Sequence, residues 1–494
     1  MIDYHALAPE LILGGTLVVV LVLDVLPVPK WYTAVAGLTG LVAAAVPLLS
    51  LALLESDDRF MFGDSYVVDD FALVLKGLFI VTGFIALLLS VSYVESDRYY
   101  QGEFYFLLLS SVLGAVVMAS ARDLITIFIG LELVSAPGFL LAGWRKGDAR
   151  SNEAALKYFV IGVLSAAILA FGMSLVYGVT GEVTFSGIAA ASVGLSDEPV
   201  MILAVLFVLG GFGFKVAAVP FHFWAPDTYE GAPTPVAAYL SVGSKAAGFV
   251  GLLTMCYLAF SGLRDIWGPA IWILAALSMT IGNLIALRQT NVIRLLGYSS
   301  IAHGGFILVP FAMAASFDAI ELGDAFSATV TYLLIYAFMN MGAFAVAMAI
   351  ARKVGSVEMD QWSGLFTYAP GLATLQAVFF FSLAGIPPFA GWFAKFVMFR
   401  AVLGDSGNTW GVVLAVIAAI NAVVAFFYYA KIIKASWMDP VPESVATQDA
   451  KRIELAPTLG LAMGITAIAV VAVGILPQLL AFFGDAARAI ALGG

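Results

Sequence analysis

The chain has 494 residues, 62% of them hydrophobic and 11% charged, with a mean hydropathy of +1.01 and a formal net charge of −10. No single soluble domain could bury that much apolar surface, and the acidic balance argues against nucleic acid as a partner. One cysteine, Cys256, excludes disulfides and iron–sulfur ligation within this chain, and three histidines argue against a haem role.

Apolar segments long enough to cross ~30 Å of hydrocarbon recur along the whole chain, which predicts an all-α polytopic membrane protein. About fourteen spans are expected, near residues 7–26, 32–54, 71–94, 104–119, 122–143, 154–178, 200–219, 235–260, 267–287, 292–314, 325–351, 369–404, 410–436 and 456–483. The segment before the first span carries Asp3 and Glu10 but no Lys or Arg, unlike the basic start of a cleaved signal peptide, so that span is expected to be retained.

Two segments are interrupted. Between Val200 and Val236 stand Gly210, Gly211, Gly213, Lys215 and Pro220, followed by the run Ala232-Pro233-Thr234-Pro235. Between 369 and 404 stand Gly385, Pro387, Pro388 and Gly391. Both are expected to be broken helices, because proline removes a backbone donor and clashes with the preceding turn. Pro220 and Pro387 are 167 residues apart, and the same offset pairs Gly130 with Gly297, Gly138 with Gly305, Phe139 with Phe306 and Leu141 with Leu308. Interrupted helices in corresponding halves suggest a transporter built from repeated bundles of about five helices.

Lys and Arg collect on the cytoplasmic side of membrane proteins. Loops after odd-numbered spans hold 12 basic residues: Lys30, Arg98, Arg145, Lys146, Arg150, Arg288, Arg294, Arg352, Lys353, Lys434, Lys451 and Arg452. Loops after even-numbered spans and the C-terminal tail hold 5, namely Arg59, Arg122, Arg264, Arg400 and Arg488. Both termini are therefore expected on the outer face. Reading 369–404 as two spans instead of one would move Lys434, Lys451 and Arg452 outside.

Six basic residues fall within spans: Lys76, Lys157, Lys215, Lys245, Lys395 and Lys431. An ionisable side chain at the bilayer centre costs at least ~2.5 kcal/mol, so one that persists there faces a cavity or a partner. Glu132 lies halfway along its span, Lys215 and Lys395 sit in the broken helices, and Lys245 is ten residues into its own. One buried carboxylate–lysine pair would be explained equally well as a bridge fixing helix register. Four deep charges of both signs point instead to proton transfer, for which lysine is suited because its pKa responds to burial and to a nearby carboxylate, whereas arginine stays protonated. His303 in mid-span and His222 after Pro220 are candidate relays, with a satisfied hydrogen-bonding histidine as the plain alternative. Lys157 lies near its helix start, and Lys76 and Lys431 are read as snorkelling to the surface. Aromatic and Met side chains are read as packing.

The run from Trp224 to Val236, WAPDTYEGAPTPV, closely resembles the signature of the antiporter-like subunits of respiratory complex I, and its YEGAPTPV form resembles the N subunit. The stretch GIPPFAGWFAKF from Gly385 to Phe396 is similar to the second broken-helix motif of that subunit, including lysine at 395. The resemblance implies two inverted five-helix repeats, each with one broken helix. Residues 1–100 would form an N-terminal three-helix segment, 101–262 the first repeat, 263–437 the second and 438–494 a C-terminal helix. It further implies that Glu132 and Lys215 form an input pair, Lys245 a central relay and Lys395 the group facing the opposite exit, with Lys157, His222 and His303 auxiliary. It implies no cofactor on this chain, with NADH, FMN, iron–sulfur clusters and quinone held by other subunits. The partners would be neighbouring antiporter-like and small membrane subunits in a bacterial cytoplasmic membrane. A sodium/proton antiporter subunit and a non-pumping membrane scaffold are the rival readings.

Overall fold

The computed structural model describes residues 2–54, 57–95, 102–404, 408–446 and 455–488. Arg98, Lys451 and Arg452 lie outside these residues. In a bilayer no water is present to satisfy backbone groups, so apolar segments close their hydrogen bonds internally as helices. In chain order these are α1 (Ala8–Val25), α2 (Trp31–Leu54), α3 (Asp70–Glu95), α4 (Glu103–Ser120), α5 (Leu124–Ala142), α6 (Ala149–Thr180), α7 (Phe185–Ala191), α8 (Pro199–Lys215), α9 (Trp224–Gly231), α10 (Thr234–Tyr239) and α11 (Lys245–Thr254). They continue as α12 (Arg264–Ala286), α13 (Val292–Leu308), α14 (Ala319–Val354), α15 (Leu365–Tyr368), α16 (Pro370–Ala384), α17 (Gly391–Leu403), α18 (Thr409–Met438), α19 (Glu443–Ala446), α20 (Pro457–Ile475) and α21 (Gln478–Ala486). Strands β1 (Arg59–Met61) and β2 (Tyr66–Val68) form an antiparallel hairpin between α2 and α3. A π-helical turn, Leu240–Ser244, joins α10 to α11, and a second, Met255–Ala259, follows α11.

Among the described residues, 12 helical stretches are long and apolar enough to cross a membrane, and α8 and α16 are shorter apolar helices. Each short helix is the first part of a broken crossing. Along α6, Gly172 lies against Ala204 and Phe207, Leu169 against Gly211, Gly162 against Phe214, and Arg150 against Gly231. The segment from α8 to α9 therefore runs antiparallel to α6 over its length. Along α14, Arg352 and Lys353 adjoin Gly371, Gly342 lies against Phe379, Met339 against Gly391, and Asp324 faces Arg400 at 3.5 Å. The 370–403 segment thus crosses once, as a broken helix, and not twice. At these contacts glycine lets the backbones approach closely. The predicted last span ends earlier than expected: α20 stops at Ile475, and Pro477 separates it from α21.

The internal repeat is visible in the backbone. Asp123 caps α5 and Asn291 caps α13 with their side chains, as expected for residues whose short oxygens reach the free N–H groups of a first turn. The N–H of Leu124 bonds the carbonyl of Val183 at 3.0 Å and that of Phe185 bonds Arg122 at 2.9 Å; in the second half Val292 bonds Val357 and Met359 bonds Thr290, both at 2.9 Å. Helices α6 and α14 both end in a left-handed glycine, Gly181 at φ 72 and Gly355 at φ 78, a conformation open to a residue without Cβ. From α6 to the corresponding α14 there are five crossings, an odd number, so the second unit runs upside down relative to the first.

The N-terminal helices correct one expectation. Lys76 does not snorkel: its side chain is fully buried and its Nζ lies 2.6 Å from Glu10 Oε1, which also accepts a 2.6 Å bond from the Tyr66 hydroxyl. The hairpin places Tyr66 over this pair, and a partner carboxylate holds the amine where water cannot reach. Nearby, Arg122 bridges Asp69 at 2.6 Å and donates to the carbonyls of Ala119 and Ala121. Lys431 is exposed.

Candidate functional site

Lys215 is the last residue of α8, where the helix stops before Pro220. It is 2% exposed, and Gly248 of α11 leaves room for its stem, since a Cβ there would lie 2.9 Å from Lys215 Cγ. Its Nζ donates to Ser135 Oγ at 2.9 Å. Ser135 stands one turn after Glu132 on α5, and Glu132 and Lys215 are within electrostatic reach, yet no ion pair of 4.0 Å or less joins them. Glu132 is half-buried and borders an outward strip of α5 marked by Ile129 and Leu140. Glu132 and Lys215 are thus neighbours without a direct ion pair, and the hydroxyl that accepts from Lys215 itself donates to the Leu131 carbonyl at 2.6 Å.

Lys245 opens α11 directly after the π turn, whose extra residue per turn shifts the side chains that follow. It is 1% exposed and donates to the Ser300 carbonyl at 2.7 Å and to Ser300 Oγ at 2.6 Å. Tyr336 donates to the same Oγ at 2.8 Å. Gly304 links the two lysines: a Cβ there would lie 3.3 Å from the carbonyl oxygen of Val216, next to Lys215, and 3.8 Å from Lys245 Nζ. Asn340 donates to Ser241 within the π turn at 2.8 Å.

Lys395, 6% exposed, donates to the Ala384 carbonyl at 2.6 Å and lies 5.3 Å from the centre of the Phe306 ring. Ala384 ends α16, so its carbonyl has no helical partner and accepts the ammonium instead. His303 is within electrostatic reach of both Lys245 and Lys395. Its Nδ1 is 3.0 Å from the Tyr332 hydroxyl and its Nε2 is 3.5 Å from that of Tyr429, which in turn contacts Ser299. Breaking the helix after α16 thus frees the Ala384 carbonyl for Lys395, whereas Lys215 and Lys245 are held by Ser135 and Ser300 of the unbroken helices α5 and α13.

The remaining sequence candidates lie apart from these contacts. Lys157 is 42% exposed at the side chain and pairs with Asp227 at 2.6 Å and Glu153 at 2.7 Å. Asp227 also meets Arg294 at 2.7 Å, and Arg294 meets Glu230 at 2.8 Å. These acids of the WAPDTYEG run tie α9 to α6 and to α13. His222 is buried, and its Nδ1 has no hydrogen-bond partner among the described residues.

Sequence reasoning missed Ser135, Ser300, Tyr332, Tyr336, Asn340 and Tyr429. A signal for three of them was present: Tyr332, Tyr336 and Asn340 recur every four residues in α14, which places them on one helix face. No group of three or more His, Cys, Asp or Glu side chains suited to a metal ion occurs among the described residues.

The family described as NADH:quinone oxidoreductase/Mrp antiporter, TM, matches residues 121–421. NADH-quinone oxidoreductase subunit N 1 of Koribacter versatilis is 39% identical, with 98% of this chain and 96% of that protein covered. A chain of respiratory complex I from Thermus thermophilus, solved with bound aureothin, superposes with a TM-score of 0.77 at 31% identity, covering 96% of this chain and 98% of that one. A chain of the Mrp complex from Dietzia sp. DQ12-45-1b shares the fold, with a TM-score of 0.84 at 21% identity over 99% and 97% of the two chains.

Proposed function

Since the chain belongs to the NADH:quinone oxidoreductase/Mrp antiporter transmembrane family, among relatives named subunit N, we propose that it is a proton-translocating subunit of a redox-driven NADH:quinone oxidoreductase. Protons pass along Glu132, Lys215, Lys245 and Lys395, and quinone reduction elsewhere in the complex drives them. Residues 101–262 and 263–437 act as the two repeats, flanked by 1–100 and 438–494. The chain works in a bacterial cytoplasmic membrane with both termini on the outer face. It acts beside other membrane-arm subunits that complete the line of charges, while NADH, FMN, iron–sulfur clusters and quinone reside on other subunits.

The observation that carries this reading is the environment of the three deep lysines. Each is at least nine-tenths buried, and none has a carboxylate within 4.0 Å among the described residues. A register-fixing ion pair needs that carboxylate, because a buried charge without its partner is strongly destabilising. An amine held by hydroxyls and carbonyls can instead lose its proton and keep a place in the same network. Hydroxyls that both donate and accept, at Ser135, Ser300 and Tyr336, suit proton relay. His303, within electrostatic reach of Lys245 in the first repeat and Lys395 in the second, links the two, and Lys157 and His222 are auxiliary groups of the first.

The test is Lys215→Met in the assembled complex. Quinone-dependent acidification of proteoliposomes should fall sharply while assembly persists, and undiminished pumping would remove Lys215 from the path. A sodium/proton antiporter would exchange cations without NADH and quinone. A scaffold would tolerate loss of Glu132, Lys215 and Lys395 together.

A further inference from the structure

A cavity of about 280 Å³ lies among the last turn of α14 and the first turns of α16 and α20. We propose that it binds the phosphate group of an anionic phospholipid, a site independent of the proton path.

Three features converge there. Arg352 and Lys353 line the cavity, and neither has a carboxylate within 4.0 Å among the described residues. Arg352 donates through Nη1 to Ser92 Oγ at 2.9 Å, while its Nη2 is buried with no hydrogen-bond partner. Gly371 and Leu372, in the first turn of α16, and Ala456 and Leu459, at the start of α20, also line it. Both helices begin with proline and without a side-chain cap, so their first N–H groups and the positive ends of two helix dipoles face one space. A helix N-terminus is a ready anion site, and two beside an arginine and a lysine form one of unusual positive potential.

The depth and the walls select a lipid over free phosphate. The first turns of two membrane-crossing helices and the last turn of a third mark the headgroup level of the bilayer. Leu372 and Leu459 supply an apolar wall along which glycerol and acyl chains would run. Basic pockets between membrane helices bind acidic headgroups, with ~1 kcal/mol for each Lys or Arg near the surface.

The experiment uses the assembled complex, stripped of lipid and titrated with phosphatidylglycerol, phosphatidylcholine or inorganic phosphate, with bound ligand counted by native mass spectrometry. Phosphatidylglycerol should bind roughly fivefold more weakly to Lys353→Gln and roughly 30-fold more weakly to the Arg352→Gln/Lys353→Gln double variant. Lys353→Gln alone preserves the Arg352–Ser92 contact and so keeps the test informative where the double variant fails to assemble. Equal retention of phosphatidylglycerol by Lys353→Gln and the unaltered complex overturns the proposal. Equal binding of phosphatidylcholine, or saturation by inorganic phosphate at the same affinity, also overturns it. Loss of lipid binding with intact proton pumping supports the site, since the proposal makes no claim on translocation.

Discussion

Replacing Ser300 by Ala removes one atom from the centre of the site, Oγ, which accepts from both Lys245 at 2.6 Å and Tyr336 at 2.8 Å. The Ser300 carbonyl stays and still accepts from Lys245 at 2.7 Å, so the amine keeps one bond and the fold keeps its backbone contact. Losing a hydrogen bond to a charged group costs about 1.5–3 kcal/mol. If proton transfer at Lys245 limits translocation, that corresponds to a slowing of roughly 10- to 150-fold. The assay is quinone-dependent acidification of proteoliposomes containing the assembled complex, with quinone reduction measured in parallel. Adding Tyr336→Phe to Ser300→Ala should have little further effect, because the acceptor of Tyr336 has already gone, whereas Tyr336→Phe alone should slow pumping. Unaltered pumping in Ser300→Ala would refute the role assigned to Lys245 and its hydroxyl network.

Three other substitutions separate packing from transport. A Cβ on Gly391 would lie 1.7 Å from the Ser382 carbonyl oxygen, so Gly391→Ala should push α17 from α16 at a cost of roughly 1–3 kcal/mol, read as a lower Tm of the purified complex; an unchanged Tm would show that the two half-helices part easily. Lys76→Met leaves Glu10 buried and unpaired and should destabilise by about 3–5 kcal/mol, with Lys76→Met/Glu10→Gln recovering most of it; a double variant no better than the single would mean the pair is not the cause. Asp227→Asn removes two partly exposed ion pairs, each contributing about 0–1 kcal/mol, so Tm should fall slightly with pumping retained. Abolished pumping in a well-assembled Asp227→Asn complex would move Lys157 and Asp227 into the proton path.

Much of the architecture was legible because lipid leaves few alternatives. Glycine and proline marked both interruptions, but the 167-residue offset is one residue out of register with the structural repeat, in which the paired hydrogen bonds at Leu124 and Val292 and the caps Asp123 and Asn291 stand 168 apart. The loop charges favoured one crossing for 369–404, and the packing of α16 and α17 along α14 agrees. Lys76 was misread because its position six residues after the acidic pair Asp69-Asp70 looks like a helix end, while its partner Glu10 lies 66 residues earlier in the chain.

What the sequence determined by itself was the solvent, the order of about fourteen crossings and, Lys76 apart, which lysines lie deep, since hydropathy, helix-breaking residues and the cost of buried charge are all local properties. Tertiary structure alone decided what each deep group touches: Ser135 at Lys215, Ser300 under Lys245, the Ala384 carbonyl at Lys395, and Tyr332 beside His303. Those partners sit on other helices, tens of residues away, and a hydrogen bond reaching only about 3 Å exists only once the helices have packed.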